Sequence, residues 1–435
     1  MVERDTIFAP VTAPGRAAVA IVRVSGPRSD EVLRALIGDL PEPRRAALRQ
    51  VRDPASGEVL DEALVLRFSE GRSFTGETSF ELQGHGGRAA VEAVLRVLSA
   101  RPGLRLAEPG EFTRRAVEAG RLDLSQAEGL ADLALAETEA QRRQAVRAMS
   151  GELGRSAAAW RRDLIRARAL LEASMEFTDE DDVPEEVGPE ARSLTSGALE
   201  SVKRVLAGAG AAERVREGFE VALVGPPNSG KSSLINALVK RDVAIASCEA
   251  GTTRDVIEVR MDLAGQAVTV LDTAGLRLAD GAVEKAGVSK AVERAAGADL
   301  RVWLGGPGER RGWQGLEVGR EDIVVSSRSD LYPGGDGLRV SVVTGEGLEG
   351  LISLIDERVS GWSGGASMVL RGRHREGMET AADELSSVMG FMDAGASELA
   401  AEHLRRATDA LGRMCGTVDA EDVLDDIFST FCLGK

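Results

Sequence analysis

Gly225-Pro-Pro-Asn-Ser-Gly-Lys-Ser232, entered from the apolar run Val221-Ala-Leu-Val224 and followed by Ser-Leu-Ile-Asn-Ala-Leu-Val239, decides how the rest of the chain is read. A buried strand that turns through glycines into an amphipathic helix aims several backbone N–H groups, and the positive end of the helix dipole, at one small volume. That volume suits phosphate. In the GxxxxGK[ST] loop the lysine, here Lys231, reaches the β- and γ-phosphates and the hydroxyl, here Ser232, sits on Mg2+. By itself the pattern could also be a glycine turn beside an exposed lysine. Downstream, however, come Gly251-Thr-Thr-Arg-Asp255 and a second apolar strand, Val268-Thr-Val-Leu271, running into Asp272-Thr-Ala-Gly275. A strand-end aspartate holds magnesium through water, a loop threonine ligates it directly, and a glycine amide touches the γ-phosphate. Three motifs in this order read as a GTPase-type switch, in which γ-phosphate and metal hold two loops that relax after hydrolysis.

The chain has 435 residues, enough for two or three domains with their own cores. Hydrophobic residues make up 43% and charged residues 29%, an ordinary globular balance. With aromatics at 3%, the cores must be built from Leu, Val, Ile and Ala. The first residues lack an apolar signal core, and the apolar stretch after Val11 is broken by Arg16 and Arg23, which argues against a signal peptide or membrane span and for a cytoplasmic protein. Cys248, Cys415 and Cys432 are odd in number and lack metal-type spacing. A formal charge of −16 argues against a nonspecific nucleic-acid coat. It leaves room for local basic faces at Arg155–Arg168 and Arg371-Gly-Arg-His-Arg375, which read first as solvated helix surfaces and second as RNA contacts.

Four segments follow: an α+β head over 1–120, a first helical part over 121–215, an inserted α/β P-loop G domain with a mostly parallel sheet over 216–365, and a second helical part with a tail over 366–435. In the head, Ala63–Phe68 and Thr78–Leu82 read as strands, with a helix from about Gly87 to Ser99. Gly84-His-Gly-Gly87 reads as the turn that starts this helix, or as a loop that holds a ligand close to backbone. The acidic run Thr178–Asp182, closed by Pro184, reads as a loop between helices. The two helical parts form one bundle with the G domain as a discontinuous guest, or two separate domains.

With this order on the page, the chain resembles the MnmE (TrmE) family of tRNA-modification GTPases over essentially its whole length. Besides the nucleotide loops, the matching stretches are Asp5-Thr-Ile7, Pro14-Gly-Arg16, Phe74-Thr-Gly-Glu77, Glu81-Leu-Gln-Gly-His-Gly-Gly87, Pro109-Gly-Glu-Phe112, Leu122-Asp-Leu-Ser-Gln-Ala-Glu128 and the ending Phe431-Cys-Leu-Gly-Lys435. The resemblance implies a homodimer that works with the FAD-dependent flavoprotein MnmG, as a heterotetramer or larger assembly, on the wobble uridine of certain tRNAs. It adds an aminomethyl-type group (carboxymethylaminomethyl or aminomethyl) at uridine C5. The carbon comes from a reduced folate, 5-formyl- or methylene-tetrahydrofolate, held in the head. The motifs carry the folate role onto Arg23, Glu81, Arg121 and Lys435. A pterin N–H edge suits a carboxylate such as Glu81, and a glutamate tail suits arginine. Arg121 stands where the family often has lysine.

For the G domain the resemblance implies nucleotide contacts along Asn228, Ser229, Gly230, Lys231, Ser232 and Ser233. It adds Ser247, Cys248, Glu249, Ala250, Gly251, Thr252 and Thr253, then Asp272, Thr273, Ala274 and Gly275. Mg2+ falls to Ser232 and Thr253. K+ takes the place of an arginine finger, held by Asn228, Ser247, Glu249 and Thr252. Leu276 stands where a Ras-type glutamine would orient water, and the resemblance gives that role to Glu284 after two G domains close on each other. The guanine-reading loop departs from Asn-Lys-x-Asp: Ser327 and Arg328 occupy its first two places, while Asp330 remains for the base and Ser341-Val-Val343 for O6. The competing reading is a regulatory or ribosome-assembly G protein whose flanks are interaction modules. Cys432 is either a small buried hydrophobe or a group beside the modification chemistry.

Overall fold

Alternation along the first strands decides the head. The computed structural model describes residues 5–176, 187–240, 258–272, 292–305, 312–313, 315–332, 334, 337–363, 371–416 and 434. Its contacts divide the chain into one unit of Met1–Ala131 with Gly412–Lys435 and a second of Asp132–Leu411. The first contains β1 (Thr6–Pro10), β2 (Ala17–Ser25), α1 (Ser29–Ile37), β3 (Ala47–Arg52), β4 (Val59–Phe68), β5 (Ser79–Gly86), α2 (Arg88–Ser99), β6 (Leu104–Leu106) and α3 (Glu111–Glu118), and α4 (Leu124–Leu135) begins in it. The strands form one six-stranded sheet in the order β3-β4-β5-β2-β1-β6, antiparallel except for β1 and β6. Successive strand side chains take opposite faces. Phe8, Val22, Val24, Val65, Phe80 and Leu82 therefore pack with Val32, Leu33 and Leu36 of α1 and Val94 and Leu98 of α2. The intervening Ile7 and Ala9 turn to the other face, where Phe112 and Ala107 close a smaller cluster with Phe74.

The head corrects one expectation. Gly84, His85 and Gly86 continue β5, and the helix starts only at Arg88. The glycines serve close approach within the sheet: a Cβ on Gly84 would stand 2.3 Å from Asp61 Oδ2, and one on Gly86 2.3 Å from the Ala17 carbonyl oxygen.

The second unit holds α5 (Glu139–Met149), α6 (Glu152–Glu176), α7 (Val187–Leu206), α8 (Ala209–Glu217), β7 (Phe219–Val224), α9 (Lys231–Val239), β8 (Glu258–Leu263), β9 (Gln266–Asp272) and β10 (Leu300–Gly305). It continues with the short pair β11 (Gly312–Trp313) and β12 (Leu316–Glu317), then β13 (Ile323–Ser327), β14 (Leu338–Val340), α10 (Leu348–Ser363), α11 (Gly372–Asp393) and α12 (Ser397–Met414), whose last turn passes into the first unit. Its sheet runs β14-β13-β10-β7-β9-β8, parallel throughout except for the β8–β9 hairpin. Both faces are covered, which is why β7 carries the unbroken apolar run Val221–Val224. Val221 and Leu223 meet Leu234, Ile235 and Leu238 of α9 on one face, while Ala222 and Val224 meet Trp303 on the other.

The helices present small and branched residues every three or four positions: Leu153, Ala157, Trp160, Leu164, Ala167 and Leu171 on α6 are all buried. α7 lies between α6 and α11, with Trp160 Nε1 donating to Ser201 Oγ at 3.0 Å and an Arg192–Asp393 ion pair. Helices from before and after the sheet thus share one core. Arg371 is half-buried in a pair with Asp132 at 3.0 Å, while Arg375, exposed as a solvated helix face is, pairs with Glu213 at 3.0 Å. The acidic run, the tail before Gly434, and Cys248 and Cys432 lie outside the described residues. Among the described helices none is long and apolar enough to cross a membrane.

Candidate functional site

The phosphate loop grows directly out of the central strand. β7 ends at Val224, and a Cβ on Gly225 would stand 2.2 Å from the Leu304 carbonyl oxygen, so only glycine lets the loop leave this close to β10. Asn228 and Gly230 both turn left-handed, at φ 64° and 98°, conformations that asparagine and glycine tolerate. The turn delivers Lys231 as the first residue of α9. Its side chain is 4% exposed, and its ammonium donates to the Gly225 and Pro226 carbonyls, at 2.8 Å each. Burial pushes the Lys231 ammonium pKa down, with the Asp272 charge opposing.

Beside it, Ser232 Oγ donates to Asp272 Oδ2 at 2.6 Å, and Asp272 is fully buried at the end of β9. The fold has thus joined two motifs forty positions apart. A lysine at a helix N-terminus suits phosphate, and a hydroxyl and carboxylate in contact are the hard oxygen donors Mg2+ takes. Ser229 lies in the loop, buried, and Ser233 follows on α9, exposed. Ser247 to Thr253, Thr273 to Gly275 and Glu284 lie outside the described residues.

At the far end of the sheet, Ser327 closes β13 buried, its hydroxyl 3.4 Å from the Gly305 carbonyl, while Arg328 stands exposed at φ 58°. Asp330 Oδ1 accepts from Ser341 Oγ at 2.6 Å, which unites the two stretches read as base-recognising. The Ser341 amide donates to the Glu346 carbonyl, and the Val343 and Thr344 amides turn inward to Ser341 Oγ at 3.2 and 3.3 Å. The expected O6 donors are therefore partly engaged within their own turn.

In the head, Arg23 and Glu81 are cross-strand partners on β2 and β5, and Nε and Nη2 of Arg23 both reach Glu81 Oε1, at 3.0 and 2.8 Å. The guanidinium lies over the Phe74 and Phe112 rings at 5.4 and 5.6 Å. The resemblance gives both residues to a folate; folded, they are each other's counter-ion. Arg121 passes beside the same loop, its Cγ 3.5 Å from where a Gly76 Cβ would be. Lys435 is outside the described residues, but Gly434, at φ 95°, lies so close to Pro10 and Val11 that a Cβ would stand 2.3 Å from the Pro10 oxygen. Pro10 follows Ala9, the β1 residue paired with Arg23.

Sequence reasoning missed the polar network beneath this face. Ser25 Oγ lies 2.7 Å from Thr75 Oγ1 and from Glu77 Oε2, and Arg115 donates to Glu77 at 3.1 Å, to Glu111 at 2.9 Å and to the Asp5 carbonyl at 2.9 Å. Burial raises the Glu111 carboxyl pKa, but Arg105, the Glu108 amide and Arg115 more than reverse this and hold it below the usual range. The matched stretches Phe74–Glu77 and Pro109–Phe112 were the signal; their partner Arg115 carries none in the sequence.

A phosphate loop on a parallel sheet, an aspartate-ended strand against it and a helical unit around both define a P-loop nucleotide-binding protein with a separate antiparallel head. The family model described as the MnmE helical domain matches residues 124–432, and that described as the GTP-binding protein TrmE N-terminus matches 6–121. Curated relatives called tRNA modification GTPase MnmE match from end to end: in Cereibacter sphaeroides at 55% identity and in Dinoroseobacter shibae at 49%, each covering 99% of this chain and 100% of the relative. Among solved structures, the G domain of the T. maritima FeoB iron transporter aligns at 22% identity over 33% of this chain and 98% of that one, with a TM-score of 0.24. The chain belongs to the MnmE family.

Proposed function

We propose that the chain hydrolyses GTP as part of tRNA modification, and that with a flavoprotein partner of the MnmG kind it builds an aminomethyl-type group on C5 of the wobble uridine. The observation that carries the GTPase half is the bond from Ser232 to the buried Asp272 beside Lys231 at the start of α9. By accepting the Ser232 hydrogen bond, Asp272 leaves the hydroxyl lone pairs for a cation, and Thr253 would complete the Mg2+ set. A Mg2+ ion held there by Ser232 and Thr253 would supply positive charge to offset that of the phosphates. Lys231 then exchanges loop carbonyls for phosphate oxygens, Asp330 reads the guanine edge, and Glu284 orients the attacking water. Asn228, already left-handed in the loop, supplies one oxygen to K+, with Ser247, Glu249 and Thr252.

The head holds the one-carbon folate. Phe74, partly exposed, offers an aromatic face for a flat ring, the Arg23–Glu81 pair a donor and an acceptor within one contact, and Arg121 and Lys435 charge for an anionic tail. The working form is a cytoplasmic homodimer, and the four segments 1–120, 121–215, 216–365 and 366–435 are its functional divisions. Mass spectrometry of wobble uridines tests the whole reading: cells lacking this chain lose the C5 group and regain it with the wild-type gene. Retention of the modified uridine without the chain overturns the reading. On purified protein, GTP turnover is faster in K+ than in Na+ at matched ionic strength, and equal rates remove the potassium assignment.

A further inference from the structure

β9 has a chemical end and a mechanical end. At one, Asp272 receives the Ser232 hydroxyl of the phosphate loop. At the other, β9 leaves a tight turn through Ala264 and Gly265, both left-handed at φ 48° and 85°, and the Gly265 carbonyl accepts from the Ala140 amide of α5 at 3.0 Å. The strand between is seven residues, or about 20 Å of pleated backbone at about 3.3 Å each, paired with a neighbour on both sides.

The turn does not merely brush α5. Ala140 packs against the sheet's apolar core, a Cβ on Gly265 would stand 3.5 Å from that of Glu139, and Arg260 of β8 reaches Glu137 at 3.4 Å. α5 is also tied to α8, where Gln141 and Gln144 donate to the Arg216 and Ala212 carbonyls at 3.0 and 2.8 Å. Those carbonyls belong to α8, which runs through Gly218 straight into β7 and the phosphate loop. A cavity of about 100 Å3 lined by Asp132, Leu135, Gln144 and Arg216 lies beside this joint. The α4–α5 corner therefore has room to shift where a solid core would not.

From this geometry we propose that the β8–β9 turn and the first turn of α5 position Asp272 and couple the nucleotide site to the helical bundle: Glu137, Ala140, Arg260 and Gly265 are positioning residues for the GTP reaction. The proposal rests on the reading of the phosphate loop as a GTP site. Coupling of this kind is reciprocal, so a change at α5 alters the discrimination between GTP and GDP by the factor with which nucleotide alters α5.

The test uses the full chain with Ala140→Gln, which adds bulk at the joint without spoiling helix propensity, and with Arg260→Glu, Glu137→Arg and the double exchange. Affinities for a fluorescent GDP and a non-hydrolysable GTP analogue are measured beside the melting temperature and the uridine product formed per GTP hydrolysed. Ala140→Gln is expected to change the ratio of the two affinities about fivefold, the low end of measured couplings, and to lower product per GTP. The double exchange is expected to recover what either single charge reversal loses. Equal weakening of both nucleotides together with a lower melting temperature shows a structural joint only and overturns the proposal, as does an unchanged ratio with unchanged product yield. Failure of the wild-type protein to bind either nucleotide removes the GTP reading, and the coupling with it.

Discussion

The two six-stranded sheets place their chemistry in different ways. In the parallel sheet the candidate groups among the described residues stand at or beyond a strand's carboxyl end: the phosphate loop after β7, Asp272 as the last residue of β9, Arg328 and Asp330 after β13, and Ser341 after β14. Both faces are filled, so the edge where loops meet is the only place left. The antiparallel head has one face on its helices and one partly open, with Val19, Leu48 and Leu64 exposed by 50%, 59% and 37%. Its groups therefore rise from mid-strand, Arg23 from β2 and Glu81 from β5, and are held by cross-strand pairing. One sheet organises loops around backbone donors; the other neutralises charge with charge.

The largest effect that would sharpen this contrast comes from Arg115. It is 5% exposed and pairs with both Glu77 and Glu111. Arg115→Ala strands two carboxylates and should cost the head about 3–5 kcal/mol, as breaking a buried pair does. All four tryptophans, Trp160, Trp303, Trp313 and Trp362, lie in the second unit. Hydrogen exchange should therefore show the head strands losing protection while tryptophan fluorescence stays native. Acid should do the same more gently. The Glu111 carboxyl pKa is depressed in the folded head, so its stabilisation is present above the unfolded value of about 4.3 and is lost as pH falls through the lower, folded one.

Next in size is Lys231→Ala. Removing a charge-assisted contact to phosphate should weaken GTP binding about 100-fold while folate binding in the head is unchanged. Calorimetry with both ligands decides it, and a joint loss would break the contrast by tying the two sites together. Glu81→Gln keeps the shape but removes the charge facing Arg23; folate affinity should fall about tenfold, the scale of one ionic hydrogen bond, with GTP turnover untouched.

The smallest expected effect is at His85. Its Nδ1 lies 2.7 Å from Asp61 Oδ1, and that hydrogen bond, with the Asp61 charge, raises the imidazole pKa. Asp61→Asn should return the NMR titration of His85 toward its ordinary value. Because the folded pKa is raised, whatever the pair adds to stability is present at low pH and fades as pH rises through it.

Gly225 to Ser232 could be read because a phosphate loop is a local object: eight consecutive residues carry its glycines, its cation and its hydroxyl. The parallel sheet was legible for the same reason, since burial on two faces leaves continuous apolar runs such as Val221–Val224. The head's strands showed as alternation, and family stretches marked the neighbourhood of its site. Only the tertiary structure decided that Arg23 answers Glu81, fifty-eight positions away, beside two aromatic rings, and that Asp330 answers Ser341. It also turned Gly84 and Gly86 from a helix-starting turn into strand, because what a missing side chain makes room for is known only once Asp61 and Ala17 are in place. Pattern along the chain reports periodicity and backbone freedom, whereas a pairing between distant charges depends on strand register, which one sequence does not contain.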